Sequence, residues 1–415
     1  MRTSKGALQL LLFAAIVILI VTLHNHTTPY LTMKTAKVGG LDEIILEPSS
    51  QPTRPGHANV QSPGEAVSSN DDSQRTVFLP GIPKAPGSDY SRVMVLPRTR
   101  DENISWIAQQ LPGLNTSVYV VDEPTAPQHP PKNKGHEVMV YLSYIIDHYD
   151  DLPDIVIFMH AHRFTYHNNE LLGADAAQMI RRLSNEHVVR SGFVNMRCSW
   201  APGCPVWLYF NSTEDFVGKQ EESSLAKSWR ELFPLESPPA YLAQPCCAQF
   251  AVSSHRIHSI PHSRFAFYRD WMMKTPLTDY VSGRIMEYSW QYIFTGKGAI
   301  CPAEHVCHCE TYGICFGGSA QYETFVHLGH RRDDLNSELD KLKEAERLYK
   351  EQPLSALNAT NITAPDYNLF KHLQEQIQSL DRERDARKEK ALIRGSDPKL
   401  RAEECGRPWK EGDGF

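Results

Sequence analysis

The chain has no run of basic residues, and its formal net charge is −6, from 43 Lys and Arg against 49 Asp and Glu. Nucleic-acid binding is driven by clustered positive charge, so this balance argues against such a partner. Large apolar residues are scarce between residues 24 and 89, where Pro, Ser, Gly, Asn and Thr recur (EPSSQPTRPGHANVQSPGEAVSSNDDSQ). A segment of that composition cannot bury a core and reads as a disordered stem. No Lys or Arg falls between Lys5 and Lys34.

Within that charge-free stretch lies Ala7–Leu23, ALQLLLFAAIVILIVTL, 17 residues with one Gln, one Thr and no charge. This is at the short end of what spans a hydrocarbon core. Arg2 and Lys5 precede it, so the positive-inside rule leaves residues 1–6 in the cytosol and sends the remainder across. The expectation is a single-pass type II membrane protein of the Golgi or ER, with its C-terminal domain lumenal. A cleaved signal peptide is the competing reading, but residues 21–25 offer no small-x-small cleavage site. Either way the rest of the chain would face the secretory lumen. Asn-x-Ser/Thr sequons at Asn25, Asn103, Asn115, Asn211, Asn358 and Asn361 agree with that placement. So do nine clustered cysteines: Cys198 and Cys204, Cys246 and Cys247, then Cys301, Cys307, Cys309 and Cys315, with Cys405 apart. In an oxidising lumen they form disulfides, of open connectivity, with one thiol left free or intermolecular.

Residues 90–318 have the composition of one globular domain. RVMVL at Arg92–Leu96, SVYVVDE at Ser117–Glu123 and IVIFM at Ile155–Met159 read as strands. Helical spacing appears around Ile104–Leu111 and over Glu137–Tyr149. Strand, helix, strand, helix, strand is the signature of an α/β fold with a mostly parallel sheet and flanking helices. Ligands of such sheets bind beyond the carboxyl ends of the strands, which points to residues 97–102, 122–123 and 160–163. Residues 319–415 form a charged helical extension. Leu339, Leu342, Leu369, Leu373, Ile377 and Leu380 recur there at helical intervals, as in a hairpin packed on the domain or a homo-oligomer contact.

Several groups are candidates for chemistry. His160 and His162 flank Ala161 at a strand end, which puts both imidazoles on one side of the pleat, where they could share a divalent metal. The bland alternative is that they hydrogen-bond a loop or a substrate hydroxyl. Asp122 closes the second strand, where a carboxylate either receives ribose hydroxyls or caps an ordinary turn. Lys134, in NKGHE, stands beside a helix start whose N–H groups favour anions, although a plain helix start explains the string equally. Glu287, in GRIMEYSWQYIF, reads as a helical carboxylate among aromatic residues. It is either a general base or an ordinary paired acid. CPAEHVCHCETYGIC at Cys301–Cys315 would suggest zinc in a reducing compartment and disulfides in an oxidising one.

NKGHEVMVYLSYIIDHYDDLPDIVIFMHAHR, CCAQFAVSSHRIHSIPHSRFAFYRDWM and MEYSWQYIF together resemble the motifs of a fungal domain-of-unknown-function family. Those motifs are an N-K-G-x-E helix start, a D-x-x-P-D strand, C-C-A-Q-F-x-V and E-x-x-W-x-x-I-F. The opening VMVLPRTRDENISWIAQQL also resembles the first strand and helix of GT-A glycosyltransferases. That likeness implies transfer of a sugar from a nucleotide sugar, the donor substrate, to a hydroxyl of a glycan, protein or metabolite. Arg98, Arg100 and Asp122 would hold the nucleotide, with Lys134 and Arg163 neutralising the diphosphate. His160 and His162 would stand where GT-A enzymes place Asp-x-Asp, with Mn²⁺ or Zn²⁺ between them. Glu287 would be the catalytic base, and Gln249–Arg256 would face the acceptor. The rival readings are a non-catalytic carbohydrate-binding or scaffold protein and a metal-dependent hydrolase.

Overall fold

The strands that read as unbroken apolar runs lie in the middle of three layers. The computed structural model describes residues 78–212, 219–351 and 366–415. In chain order the first elements are β1 (Arg92–Arg98), α1 (Ser105–Gln110), β2 (Asn115–Val120), α2 (Val138–Asp147) and β3 (Ile155–Phe158). There follow α3 (Ala176–Arg182), α4 (Asn185–Ser191), β4 (Phe193–Asn195), β5 (Leu208–Tyr209), α5 (Glu222–Leu232) and β6 (Tyr241–Leu242). Next come β7 (Phe250–Ser253), α6 (Ser254–His258), α7 (His262–Lys274), α8 (Asp279–Glu287) and α9 (Trp290–Thr295). The last four are α10 (Glu304–Tyr312), α11 (Ser319–Glu351), α12 (Tyr367–Gly395) and α13 (Pro398–Glu404). The described residues fall within one compact unit, Asp71–Phe415.

The main sheet has the order β2-β1-β3-β7-β4. Alternate side chains point to opposite faces, and both faces are covered. Val93, Val95, Val156, Phe158, Phe250 and Val252 pack toward α2, α7 and α9. Met94, Leu96, Ile155, Ile157 and Ala251 face α1, α3 and α10 on the other side. α2 is buried on nearly every side, from Val138 to Ile145, which explains why its sequence is apolar all round.

Two expectations are overturned. The sheet is mixed rather than mostly parallel: β1 pairs with β2 and β3 in parallel, whereas β7 runs antiparallel to both β3 and β4. A long excursion leaves the carboxyl end of β4 and returns to that same end of the sheet, where Asn195 lies opposite Phe250, so β7 runs backward between β3 and β4. The second correction concerns the single-pass membrane arrangement and the Golgi or ER location built on it. Among the described residues no helix is long and apolar enough to cross a membrane. The two long helices, α11 of 33 residues and α12 of 29, carry charges throughout their length. The expected anchor at Ala7–Leu23 lies outside the described residues.

α11 and α12 form an antiparallel hairpin whose seam is built by Leu339, Leu373 and Ile377. The far end of α12 returns to the domain, where Ala391 joins the second core face. Its last residue, Gly395, approaches so closely that an added Cβ would stand 2.0 Å from the Gly313 carbonyl oxygen, so no side chain fits there. The cysteines pair as Cys198–Cys307, Cys204–Cys301, Cys246–Cys247 and Cys309–Cys315, at disulfide distances, and Cys405 remains a thiol.

Candidate functional site

Because β7 runs backward, its first residues share an edge with the carboxyl ends of β1, β2 and β3. The outer part of that edge is tied together by backbone. The Arg98 guanidinium donates to the carbonyls of Arg100 and Glu102, both at 3.1 Å, folding the loop after β1 onto itself. The Arg100 N–H donates to Asp122 at 2.8 Å, so Asp122 fastens the end of β2 to that loop. Arg100 itself is exposed. The Lys134 ammonium donates to the Thr275 carbonyl, and burial lowers its pKa. Arg163 makes a forked pair with Asp175, at 3.0 and 2.8 Å. Three of the cations expected around a diphosphate are thus engaged within the fold, and Arg100 is the exposed one.

The His-Ala-His loop is clamped from both sides. Gln249, just before β7, accepts the His160 N–H at 3.2 Å and donates to Asn168 at 2.9 Å. Trp106 donates through its indole to the Ala161 carbonyl at 2.9 Å. His160 stacks on His167 with ring centres 4.7 Å apart, and its Nε2 is covered with no partner. Burial, with His162 and His136 adding, pushes the His160 pKa down to about 4, so it is neutral near pH 7. His162 is 57% exposed and stands 3.5 Å from Glu102. Among the described residues no third carboxylate, imidazole or thiolate gathers with these two imidazoles at ligand distance. The one such group found there is Cys309, Cys315 and Glu404, whose two sulfurs are bonded to each other at 2.02 Å and so offer no thiolate.

The deeper part of the edge is acidic. Glu287 accepts the Cys247 N–H at 2.7 Å and an Arg284 N–H at 3.1 Å. The same guanidinium reaches Glu221 at 3.2 Å. Burial opposes the charge on Arg284, but Glu287, Tyr288 and Glu221 together hold its pKa above the ordinary value. Burial also raises Glu221, more than Arg284 lowers it. Glu137 sits at the mouth of α2, where burial, with Glu287 and Asp279 adding, pushes its pKa up to about 8. It therefore keeps its proton near neutral pH.

Local sequence explains how these groups meet. Gly135 and His136 both have positive φ, 73° and 53°, which reverses the chain before α2. The Gly135 N–H then donates to Asp279 at 2.5 Å, and His136 approaches the same carboxylate at 3.7 Å. Gly283 lets this turn lie on α8, since a Cβ there would stand 2.7 Å from the His136 ring. α8 and α9 were expected as one helix. Ser289 instead bonds back to the Ile285 carbonyl at 2.7 Å and the helix breaks, leaving Glu287 as the last residue of α8. Cys247, bonded to its neighbour Cys246, has φ of 79° and presents its N–H to Glu287.

Of the sequence-derived residues, Glu287, His160, His162, Arg100 and Asp122 lie on this edge. Within Gln249–Arg256, Phe250–Ser253 is a buried central strand and Ser254 opens α6; the first residue, Gln249, is the one at the edge. Glu137, Glu221 and Arg284 were not singled out from sequence. A signal was present for Glu137, a carboxylate directly preceding a helix that is apolar on every side. Among the sequons, Asn103, Asn115 and Asn211 are exposed, while Asn25, Asn358 and Asn361 lie outside the described residues.

A family model described as "Protein of unknown function (DUF3431)" matches residues 94–310, more than half of the chain. The chain belongs to that family. The matched span runs from within β1 into α10 and so contains the whole strand-end edge, including Asp122, Glu137, His160, Glu221 and Glu287. No curated protein and no solved structure matches the chain.

Proposed function

We propose that this DUF3431 protein is a glycosyltransferase-like enzyme that moves a sugar from a nucleotide sugar to a hydroxyl of a glycan, protein or metabolite. The observation that carries the reading is Glu287. Its carboxylate is one-tenth exposed, is held by the Cys247 N–H and Arg284, and stands on the ligand-binding edge of an α/β sheet. In that role Glu287 takes the acceptor hydroxyl proton as the oxygen attacks the anomeric carbon. The bond from that carbon to the diphosphate breaks, and its electron pair leaves on the diphosphate oxygen. General-base help of this kind contributes roughly 10²–10⁴-fold. Arg100 and His162, the exposed cationic and imidazole groups of the edge, face the departing charge.

The test is release of nucleoside diphosphate by the purified full chain over a panel of nucleotide sugars and simple acceptors. Release from at least one donor is expected, and Glu287→Gln should remove it. No release and no nucleotide-dependent thermal shift across the panel would overturn the transfer reading. A specific observation favours the alternative of a non-catalytic carbohydrate-binding protein: Arg98, Lys134 and Arg163 are already engaged by the fold, leaving few cations for a diphosphate. A divalent metal that survives dialysis and is lost in His160→Ala would instead favour a metal-dependent hydrolase.

A further inference from the structure

We infer that the face of α8 bearing Tyr280, Arg284 and Glu287, backed by Glu221, Gln244 and Tyr288, is a subsite for an uncharged sugar ring. This rests on the proposed sugar chemistry and specifies which sugars that site accepts. Positions 280, 284 and 287 are spaced by one turn and then by three residues, so they project from one side of the helix. Tyr280, at the solvent end, is 42% exposed and its ring meets the His136 ring edge-on at 6.3 Å. An open tyrosine beside buried polar groups offers its face to the C–H side of a pyranose.

Behind it stand buried polar atoms that the fold leaves unmatched. Glu221 Oε2, Gln244 Oε1 and Arg284 Nε have no hydrogen-bond partner. The Tyr288 hydroxyl has none at ordinary geometry either, although the Arg284 guanidinium is close enough to act on it. Glu221, Gln244 and Tyr288 are each at most 1% exposed. A buried group without a partner is unfavourable, and a cluster of them fits a place where a partner is supplied from outside. The unmatched set holds two acceptors, one donor and one hydroxyl that does either. Sugar hydroxyls, which donate and accept at once, complement such a set, whereas an apolar ligand satisfies none of it.

The frame is fixed before a ligand arrives. Gln244 donates to the Glu287 carbonyl at 2.6 Å, and Arg284 bridges Glu287 and Glu221 at 3.1 and 3.2 Å. Its charge selects among sugars. Two carboxylates face one guanidinium, and the neighbouring Glu137 carboxyl is held protonated by burial. Acidic groups outnumber the cation here, which disfavours rings bearing a carboxylate or phosphate and tolerates neutral ones.

The test uses the full chain without any nucleotide, and methyl hexopyranosides, methyl N-acetylhexosaminides and methyl hexuronides as probes, read by ligand-observed NMR. At least one neutral glycoside should bind, with the matching hexuronide roughly tenfold weaker or worse. Tyr280→Ala, at an exposed position, should weaken neutral-sugar binding without lowering the melting temperature. Tyr288→Phe should weaken it while leaving the melting temperature unchanged or higher, because the hydroxyl it removes is unmatched in the free protein. Glu221→Gln should narrow the gap between neutral and anionic sugars. Equal binding of hexuronides, no binding by any probe, or unchanged affinity in both tyrosine variants would overturn the subsite, the last showing that water alone fills it. Neutral-sugar binding without donor turnover would sink the transfer reading and leave the subsite standing. Turnover without neutral-sugar selection would do the reverse.

Discussion

Two buried charge clusters, built from the same residue types, behave in opposite ways. Where α10 meets the C-terminal segment, Glu310 is surrounded by cations. Its carboxylate pairs with Arg190 at 3.2 Å and Arg407 at 2.6 Å, with His187 at 3.7 Å, and Arg401 donates to its carbonyl at 2.6 Å. Burial would raise its pKa, but His187, Arg407 and Arg190 together hold it below the ordinary value. At the strand-end edge, Glu287 and Glu221 share Arg284 with Glu137 nearby, and burial raises Glu137 and Glu221. An ion cluster that saturates its acid is a staple, here joining α4, α10, α13 and the terminal Phe415, whose carbonyl accepts from Arg190 at 2.6 Å. A cluster that leaves acid unmatched is unfavourable for folding alone, which is the ground for proposing a ligand there.

Breaking the staple should have the largest effect. Glu310→Ala leaves Arg190 and Arg407 without their carboxylate and should cost about 3–5 kcal/mol of stability in urea unfolding. A loss below ~1 kcal/mol would mean that the cluster is hydrated and the contrast false. Glu287→Gln comes second: turnover should fall at least a hundredfold while the melting temperature changes by no more than a few degrees, since the amide still accepts the Cys247 N–H. Equal damage to stability would make Glu287 another staple.

The smallest effect is the most diagnostic, because the two acids should have opposite pH slopes. Glu137 titrates near 8 in the folded chain against an ordinary 4.5. Below pH 4.5 both states hold the proton; between 4.5 and 8 the native state keeps a proton that the unfolded chain has released. Its contribution is therefore full in acid and lost as pH rises toward 8. Glu310, with a depressed pKa, contributes above 4.5 and loses that contribution on acidification. Thermal unfolding of Glu137→Gln at pH 5 and pH 8 should show a smaller decline than the parent over that interval. A decline as steep as the parent's would remove Glu137 from the account.

Much of the fold is written locally. Residues 93–96 of β1 and 155–158 of β3 are apolar at every position because both faces of those strands are covered, and α2 is apolar nearly all round for the same reason. The leucine spacing over residues 339–380 was equally visible, and the structure turns part of it into the α11–α12 seam. Glu287 could be singled out because a carboxylate among Trp, Tyr and Ile contradicts its surroundings. The break after it could not, since it depends on Ser289 turning back on Ile285.

By itself the sequence determined the first three strands, the helices between them and the two long C-terminal helices, and that acids, histidines and cysteines occur near strand ends. These follow from periodicities of two and 3.6 residues, which act over a few neighbours. Tertiary structure alone decided that β7 runs backward, that Cys198 pairs with Cys307 and Cys204 with Cys301, and that Glu221 and Glu287 share the Arg284 guanidinium beside Glu137. Those outcomes depend on contacts between segments far apart in the chain, and on burial. Burial is what turns Glu137 from an ordinary carboxylate into a proton-holding acid, a property that no residue carries in its name.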